Sequence, residues 1–240
     1  MTESKIALIT GGTRGLGKEL VSAFLGAGYL VIGVYGHDEH AANELRKTFA
    51  KEKLLVKKCN LANPEEIEIL FKEISEIYGR LDVVINNAAA FFEPTTFNRL
   101  SWQDFQKQID VSLKGSFHIL KFAAEIMRKK KDGAVLSILT NAIKSTPPKG
   151  FTAYAAAKSA LWSLMKSFHA EFARLNIRTY NILPGFMDTS LTQAWHELMV
   201  EQIKSASTSK NFVDKKKIAH ICLELASSAQ QEKTDYFIEE

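Results

Sequence analysis

The amino-acid sequence predicts an α/β fold: a doubly wound parallel sheet with helices on both faces, formed as a single domain over residues 1–240. Three observations predict it. Short runs of β-branched and aliphatic residues recur along the chain, largely apolar on both faces, as strands buried on both sides are. Stretches with apolar residues at helical spacing separate those runs. No linker, low-complexity tract or internal repeat breaks the alternation.

The first strand is expected over Ile6–Thr10, leading through a glycine-rich turn into a helix whose face is spaced by Leu16, Leu20, Phe24 and Ala27. A second strand follows over Leu30–Tyr35. Asp38 is placed to cap the next helix, with His37 and His40 decorating its start. The third strand is expected over 54–59. Asn63 then gives a helix-start signal before Pro64-Glu65-Glu66, and Ile67, Leu70, Ile74 and Ile77 stripe that helix. After a fourth strand over Val83–Asn86, residues 102–130 are long enough for one bent helix or two in sequence. The fifth strand is expected over 135–139, a strong helix over 153–175 and a sixth strand over 179–183. The alternation then lapses. Phe186, Met187, Leu191, Trp195, Leu198 and Met199 lie at roughly helical spacing before a polar stretch, so 186–213 is expected to form a substrate lid.

Composition excludes several classes. With 46% hydrophobic residues the chain has ample material for a core, which rules out general disorder. Lys+Arg 31 against Asp+Glu 27 leaves a formal charge of +4, too small an excess to argue for nucleic acid. Cys59 and Cys222 cannot form a disulfide framework, and the six histidines show no metal-ligand spacing, so no metal is expected. No apolar run approaches the roughly 20 residues that cross a bilayer, and the start lacks a signal-peptide pattern. The expectation is a soluble cytoplasmic protein without a membrane partner.

Thr10-Gly11-Gly12-Thr13-Arg14-Gly15-Leu16-Gly17 joins the first strand to the first helix. Glycines at such a junction let the backbone turn, approach a pyrophosphate and pack helix on strand, while the helix's free N–H groups face the phosphates. The placement is a dinucleotide signal of the Rossmann type. Further landmarks follow in order: Asn86-Asn87-Ala88-Ala89 after the fourth strand, Tyr154-Ala155-Ala156-Ala157-Lys158 on the long helix, and Pro184-Gly185-Phe186-Met187-Asp188-Thr189 after the sixth strand. Together these resemble the short-chain dehydrogenase/reductase family over nearly the whole chain. The general pattern looks most like its 3-oxoacyl-ACP reductase branch.

Tyr154 and Lys158 are four apart on a helix and share a face. A free phenol has a pKa of about 10, and a nearby ammonium favours the phenolate, so Lys158 is expected to bring Tyr154 toward neutrality. The resemblance implies that Tyr154 is the acid/base at a carbonyl oxygen and that Lys158 also holds the nicotinamide ribose. The family's serine maps to Thr140 by strand register and to Asn141 by spacing from Tyr154. Thr140 is preferred, and Ser137 is expected to point into the sheet's packing. The family's relay asparagine maps to Ser112 within Asp110-Val111-Ser112-Leu113-Lys114-Gly115, which puts the relay in doubt.

The resemblance further implies a cofactor site of Gly11, Thr13, Arg14, Gly15, Leu16 and Gly17, then Tyr35, Asn60, Leu61, Asn87 and Ala88, then Tyr154, Lys158, Pro184, Gly185, Met187 and Thr189. Asn60 stands where relatives carry an aspartate that reads adenine, and Thr189 would hold the carboxamide. Tyr35, not a carboxylate, ends the second strand. No acid is then expected to repel a 2′-phosphate, and Arg14 is placed to bind one, which favours NADP(H) over NAD(H). Phe91, Phe92 and Pro94, with Pro147, Pro148 and Phe151, then Phe186, Leu191 and Trp195, frame the substrate mouth. They suit an apolar or acyl substrate, or equally pack the lid onto the body.

The expected activity is NADP(H)-dependent reduction of a ketone or 3-oxoacyl carbonyl to an alcohol. Two alternatives stand beside it: specialised biosynthetic chemistry on the same scaffold, and a catalytically impaired dinucleotide-binding sensor or partner subunit. Lys129, Lys130 and Lys131 are read as a solvated helix end, with docking of an acidic carrier protein as the minority reading. The resemblance implies a homo-oligomer paired through the helices around Phe117 to Met127 and Leu161 to Phe172. Residues 233–240 stand where relatives finish a last strand and tail, so the far edge is expected to be trimmed.

Overall fold

The computed structural model describes residues 4–49, 52–188, 195, 200–201 and 212–239. They form seven strands: β1 (Ile6–Thr10), β2 (Leu30–Tyr35), β3 (Leu54–Lys58), β4 (Val83–Asn86), β5 (Gly133–Ile138), β6 (Ile177–Pro184) and β7 (Asp235–Ile238). All pair in parallel, in the order β3-β2-β1-β4-β5-β6-β7. The helices described are α1 (Gly15–Gly26), α2 (Glu39–Thr48), α3 (Pro64–Tyr78), α4 (Trp102–Gln108), α5 (Gly115–Lys130), α6 (Thr152–Phe172) and α7 (Lys215–Ser227).

Alternate residues of each central strand feed two separate cores. Leu8, Ile32, Val84 and Val135 pack with Leu70 and Ile74 of α3, Leu120 and Met127 of α5, and Leu161 and Met165 of α6. Ile9, Val31, Ile85 and Leu136 pack on the other face with Leu20 and Phe24 of α1 and Ile218 and Cys222 of α7. Burial on both faces is why these strands read as continuous apolar runs. Each such Leu, Ile or Val contributes about 1.5–3 kcal/mol relative to exposure. Both cysteines are free, and burial pushes the Cys59 thiol up to about 11 and Cys222 to about 12, so neither is a ready nucleophile.

Caps account for several helix starts. Asp38 Oδ1 accepts from Ala41 N–H at 2.9 Å, and Asn63 Oδ1 from Glu65 N–H at 3.0 Å. Gly79 ends α3 in the left-handed region, with φ 62°.

The elements depart from expectation where tertiary position overrides local pattern. β3 is an edge strand, so Leu55, Val56 and Lys57 are only half-buried and Lys58 is exposed. α1 stops at Gly26, leaving Ala27 exposed as its cap. Ile77 is 63% exposed, and the buried stripe of α3 is Ile67, Leu70, Phe71 and Ile74, with Tyr78 half-buried beside it. Residues 102–130 form one helical path, as their length led one to expect, with a π segment at Ile109–Lys114 between its two α-helical parts. The far edge is not trimmed of its strand. β7 pairs with β6 from Asn181↔Asp235 to Pro184↔Ile238, closing the sheet.

The chain winds outward from β1 to β3, then returns to place β4 against β1. That reversal opens a crevice beyond the carboxyl ends of β1 and β4, where α/β sheets bind ligands. Among the described residues no helix is long and apolar enough to cross a membrane.

Candidate active site

Side chains knit the two strands together at the reversal. Thr10, ending β1, donates through Oγ1 to the Ile85 carbonyl (3.3 Å) and accepts from the backbone N–H groups of Asn87 and Ala88, each at 3.0 Å. Asn87 Nδ2 returns the contact, donating to the carbonyls of Thr10 (2.8 Å) and Gly11 (3.2 Å). Asn87 thus acts on the glycine loop through its backbone. Gly11 turns with φ +63°, and a Cβ on Gly17 would run into the Gly11 carbonyl and come within 2.9 Å of Asn87 Nδ2. Only bare backbone fits there.

A cleft of about 950 Å³ opens above this loop. Gly11, Thr13, Arg14, Gly15, Leu16, Gly17, Tyr35, Asn60, Leu61, Asn87, Ala88, Tyr154, Lys158 and Met187 all line it. Arg14 stands at the N-cap of α1 but its side chain makes no capping hydrogen bond, and the first turn carries no acidic residue, so the positive helix end faces the cleft unneutralised by its own helix. A glycine cradle, an uncapped helix start and a cleft of this size fit a nicotinamide dinucleotide. Among the described residues no group of His, Cys, Asp or Glu could hold a metal ion.

Four of the residues expected at the site stand behind the cleft wall or beside it. Ser112 is fully buried in the π segment and its Oγ lacks a hydrogen-bond partner, whereas Asp110 and Val111 reach the cleft. Thr140 follows β5 and accepts from Ala142 N–H at 3.2 Å. Pro184 ends β6, and Gly185 donates its N–H to Ile238 (2.7 Å), which ties both to the sheet edge. Thr189 lies outside the described residues, as does most of the expected lid. Ser137 is buried within the sheet and accepts from Asn86 Nδ2 at 3.3 Å, as its inward direction predicted.

Tyr154 and Lys158 sit one turn apart near the start of α6. Lys158 is only 2% exposed, and its Nζ donates to the Ile138 carbonyl at the end of β5 (2.7 Å). Burial lowers its pKa to about 8. Nζ lies 5.8 Å from the centroid of the Tyr154 ring. Burial pushes the Tyr154 phenol above its ordinary value, and a hydrogen bond from Thr140 offsets part of that rise. The direction is opposite to the expected shift toward neutrality, because desolvation by burial exceeds the Thr140 hydrogen bond that opposes it. Burial therefore favours the protonated phenol at Tyr154.

The end of β2 also differs from expectation. Asp38 caps α2 through Oδ1, but its Oδ2 pairs with Arg14 Nη1 at 3.3 Å, and both residues line the cleft. An acid therefore does stand beside the cation expected to bind a 2′-phosphate. The Tyr35 hydroxyl donates to Glu39 at 2.6 Å, and Arg46 lies over the Tyr35 ring. Asn60 Oδ1 already accepts from Ala62 N–H at 3.1 Å, leaving one lone pair of that oxygen for a ligand.

At the mouth the aromatic residues pack on one another. Phe92 stacks on Tyr154 and meets Phe151 and Trp195 edge-on. Trp195 Nε1 donates to the Phe92 carbonyl (2.9 Å), and Phe151 contacts Phe186. Phe91 is exposed. Gln108 was not singled out from the sequence. It is buried in α4, and its Nε2 donates to the carbonyls of Ala90 (3.2 Å) and Phe91 (3.4 Å), holding the loop that carries Phe92. A glutamine at an otherwise apolar helix position was the available signal. Lys130 donates to buried Asp82 at 2.7 Å, where Asp82 also takes the Ile6 N–H, so this lysine serves the amino ends of the strands, away from the cleft.

Known proteins share both sequence and architecture with the chain. It is 30% identical over 207 residues to short-chain dehydrogenase reductase 3a of Arabidopsis thaliana, covering 85% of this chain and 80% of that one. It is 29% identical over 230 residues to the 3-oxoacyl-[acyl-carrier-protein] reductase FabG of Staphylococcus aureus, covering 95% and 92%. The solved structure of ElxO with NADP bound superposes with a TM-score of 0.87 at 25% identity, over 98% of this chain and 97% of that one. The family model for short chain dehydrogenase matches residues 5–199. With the glycine loop, the Tyr154–Lys158 pair and the seven-stranded parallel sheet all falling within that match or continuing its sheet, the chain belongs to the short-chain dehydrogenase family of oxidoreductases.

Proposed function

We propose that this chain is an NADP(H)-dependent oxidoreductase that reduces a ketone or 3-oxoacyl carbonyl to an alcohol. It works as one cytoplasmic domain with a lid over about 186–213, and it assembles as a homo-oligomer. The observation that carries the proposal is the buried Lys158 beside Tyr154 in the cleft that the glycine loop also lines. When bound, the cofactor supplies the hydride that reaches the carbonyl carbon.

The chain's own residues do the rest. The loop Gly11, Thr13, Gly15, Leu16 and Gly17 seats the dinucleotide, with Asn87 fixing the loop's carbonyls. Arg14 and Tyr35 meet the ribose that carries or lacks the 2′-phosphate, and Asn60, Leu61 and Ala88 contact the nucleotide further along. Pro184, Gly185, Met187 and Thr189 close over its nicotinamide end. Thr140 orients the carbonyl, and Tyr154 gives its proton to the carbonyl oxygen. Lys158, tethered at Ile138, keeps a positive charge below that oxygen. Ser112 takes the place of the relay asparagine.

An NADPH-consumption assay against a panel of ketones, diketones and acyl thioesters tests the reading. Turnover of at least one class is expected. Binding of NADPH without any turnover would favour a sensor or partner subunit. A carrier-bound acyl substrate is a second reading, supported by the 3-oxoacyl-[acyl-carrier-protein] reductase relatives. Charge reversal at Lys129 and Lys131, leaving Lys130 on Asp82, tests that docking, and unchanged binding of the carrier sinks it.

A further inference from the structure

Gln108 is the last residue of α4 and is 1% exposed. Glutamine is seldom buried so deeply, and this one is only half satisfied. Its Nε2 donates to the carbonyls of Ala90 and Phe91, at 3.2 and 3.4 Å, while its Oε1 has no hydrogen-bond partner. A buried oxygen left unpaired costs free energy, which an apolar side chain of the same size would not incur. What the amide supplies is its nitrogen, set on two consecutive carbonyls of a segment without regular secondary structure. The Phe91 carbonyl belongs to the planar peptide that enters Phe92, so holding it sets the direction in which the Phe92 side chain leaves the backbone. Further along, Trp195 holds the Phe92 carbonyl, and Thr95 donates its N–H to the Gly150 carbonyl at 3.1 Å. The ring aimed by these contacts is the one stacked on Tyr154.

We propose that Gln108 is a positioning residue for substrate selectivity: by holding the backbone of residues 90–92 it keeps the Phe92 ring on Tyr154 and narrows the mouth to small or flat carbonyl substrates. This rests on the carbonyl-reductase reading above and deepens it. Gln108 stands behind the cleft wall, whereas Ala90 and Phe91, whose carbonyls it holds, line the cleft. Its influence therefore passes through the loop and the Phe92 ring. With both donors removed, the peptide entering Phe92 is free to turn, the ring can swing off Tyr154, and a bulky group gains the space it leaves. Cofactor contacts lie on the glycine loop and α6, so they are untouched by this change.

Gln108→Met tests this, because methionine keeps the length of the side chain and removes both donors together with the unpaired oxygen. Steady-state kinetics are measured on the full chain for wild type, Gln108→Met, Phe92→Ala and the double variant, with NADPH affinity and circular dichroism alongside. The substrates are a graded series from the carbonyl class that the wild type reduces. Gln108→Met should raise the kcat/KM ratio for bulky over small substrates about fivefold, less than removal of the ring itself, with NADPH affinity held within about twofold. In the Phe92→Ala background the same substitution should move that ratio less than about twofold, because the ring it acts through is gone. If Gln108→Met does not fold, Gln108→Glu, with one donor at most, takes its place in the same comparison. A ratio that does not rise, or that rises as much without Phe92 as with it, would overturn the proposal and leave the carbonyl-reductase reading standing. If the wild type reduces no carbonyl substrate, that reading fails, and the proposal with it.

Discussion

The ring of Phe92 lies stacked on the ring of Tyr154, with centroids 4.9 Å apart and planes 17° from parallel. Phe92 is held in that position from two sides, by Trp195 at its backbone carbonyl and by Gln108 at the carbonyls of the two preceding residues. A substrate approaching the phenol therefore meets an aromatic wall. Its flanking group must be flat enough or apolar enough to lie against that wall, or must displace it.

Phe92→Ala should accordingly change selectivity more than cofactor binding. The expected result is a kcat/KM ratio for bulky over small ketones raised about tenfold, a typical yield for one reshaped apolar pocket wall. NADPH affinity should stay within about twofold. Steady-state kinetics on a graded ketone series checks this, and an unchanged ratio would remove Phe92 from the substrate wall.

Gly17→Ala should destroy dinucleotide binding. A methyl there collides with the Gly11 carbonyl and presses on Asn87 Nδ2, so the loop must open where the proposed reading seats the pyrophosphate. Affinity for NADPH should fall about a hundredfold or more, a loss of about 2.7 kcal/mol. Titration of NADPH binding reads the effect directly, and circular dichroism establishes that the sheet has formed.

Lys158 predicts a pH dependence of activity. With its pKa lowered to about 8 by burial, the ammonium is present below that pH and lost above it. In the reductive direction kcat/KM should be level below pH 8 and fall about tenfold per pH unit above it. A profile that stays level to pH 10 would separate Lys158 from the rate.

The same group predicts a stability difference. A lysine whose folded pKa is depressed binds fewer protons folded than unfolded between about pH 8 and pH 10.5, so the cost of burying its charge disappears as pH rises through that window. Lys158→Met carries no such group. Between pH 8 and pH 10.5 the wild type should gain roughly 3 kcal/mol relative to Lys158→Met. Denaturant unfolding of both proteins across that range measures the difference, from which the other titrations shared by the two proteins cancel.

Much of this was legible from local pattern. The glycine loop, Asn63 and Asp38 as caps, and the pairing of Tyr154 with Lys158 depend on residues within one turn of each other, which spacing records. What escaped depends on contacts distant in sequence or on burial. Arg14 and Asp38 are 24 residues apart and meet because the turns after β1 and β2 open onto one cleft. Trp195 reaches the Phe92 carbonyl across 103 residues. The Tyr154 shift went the other way because the sequence displays the neighbouring lysine but not the burial that desolvates the phenol. β7 was missed because four residues ending in Phe237 and Ile238 are a strand only once β6 offers an edge.

The central claim is that Tyr154 donates the proton to the carbonyl oxygen. Turnover of NADPH with a ketone substrate by Tyr154→Phe measures it most directly, alongside NADPH affinity for the same variant. The phenyl ring preserves the stack on Phe92 and removes only the donor. A fall in kcat of about a hundredfold or more, with NADPH affinity held within about twofold, is the predicted result. A Tyr154→Phe enzyme that turns over at the wild-type rate would contradict it.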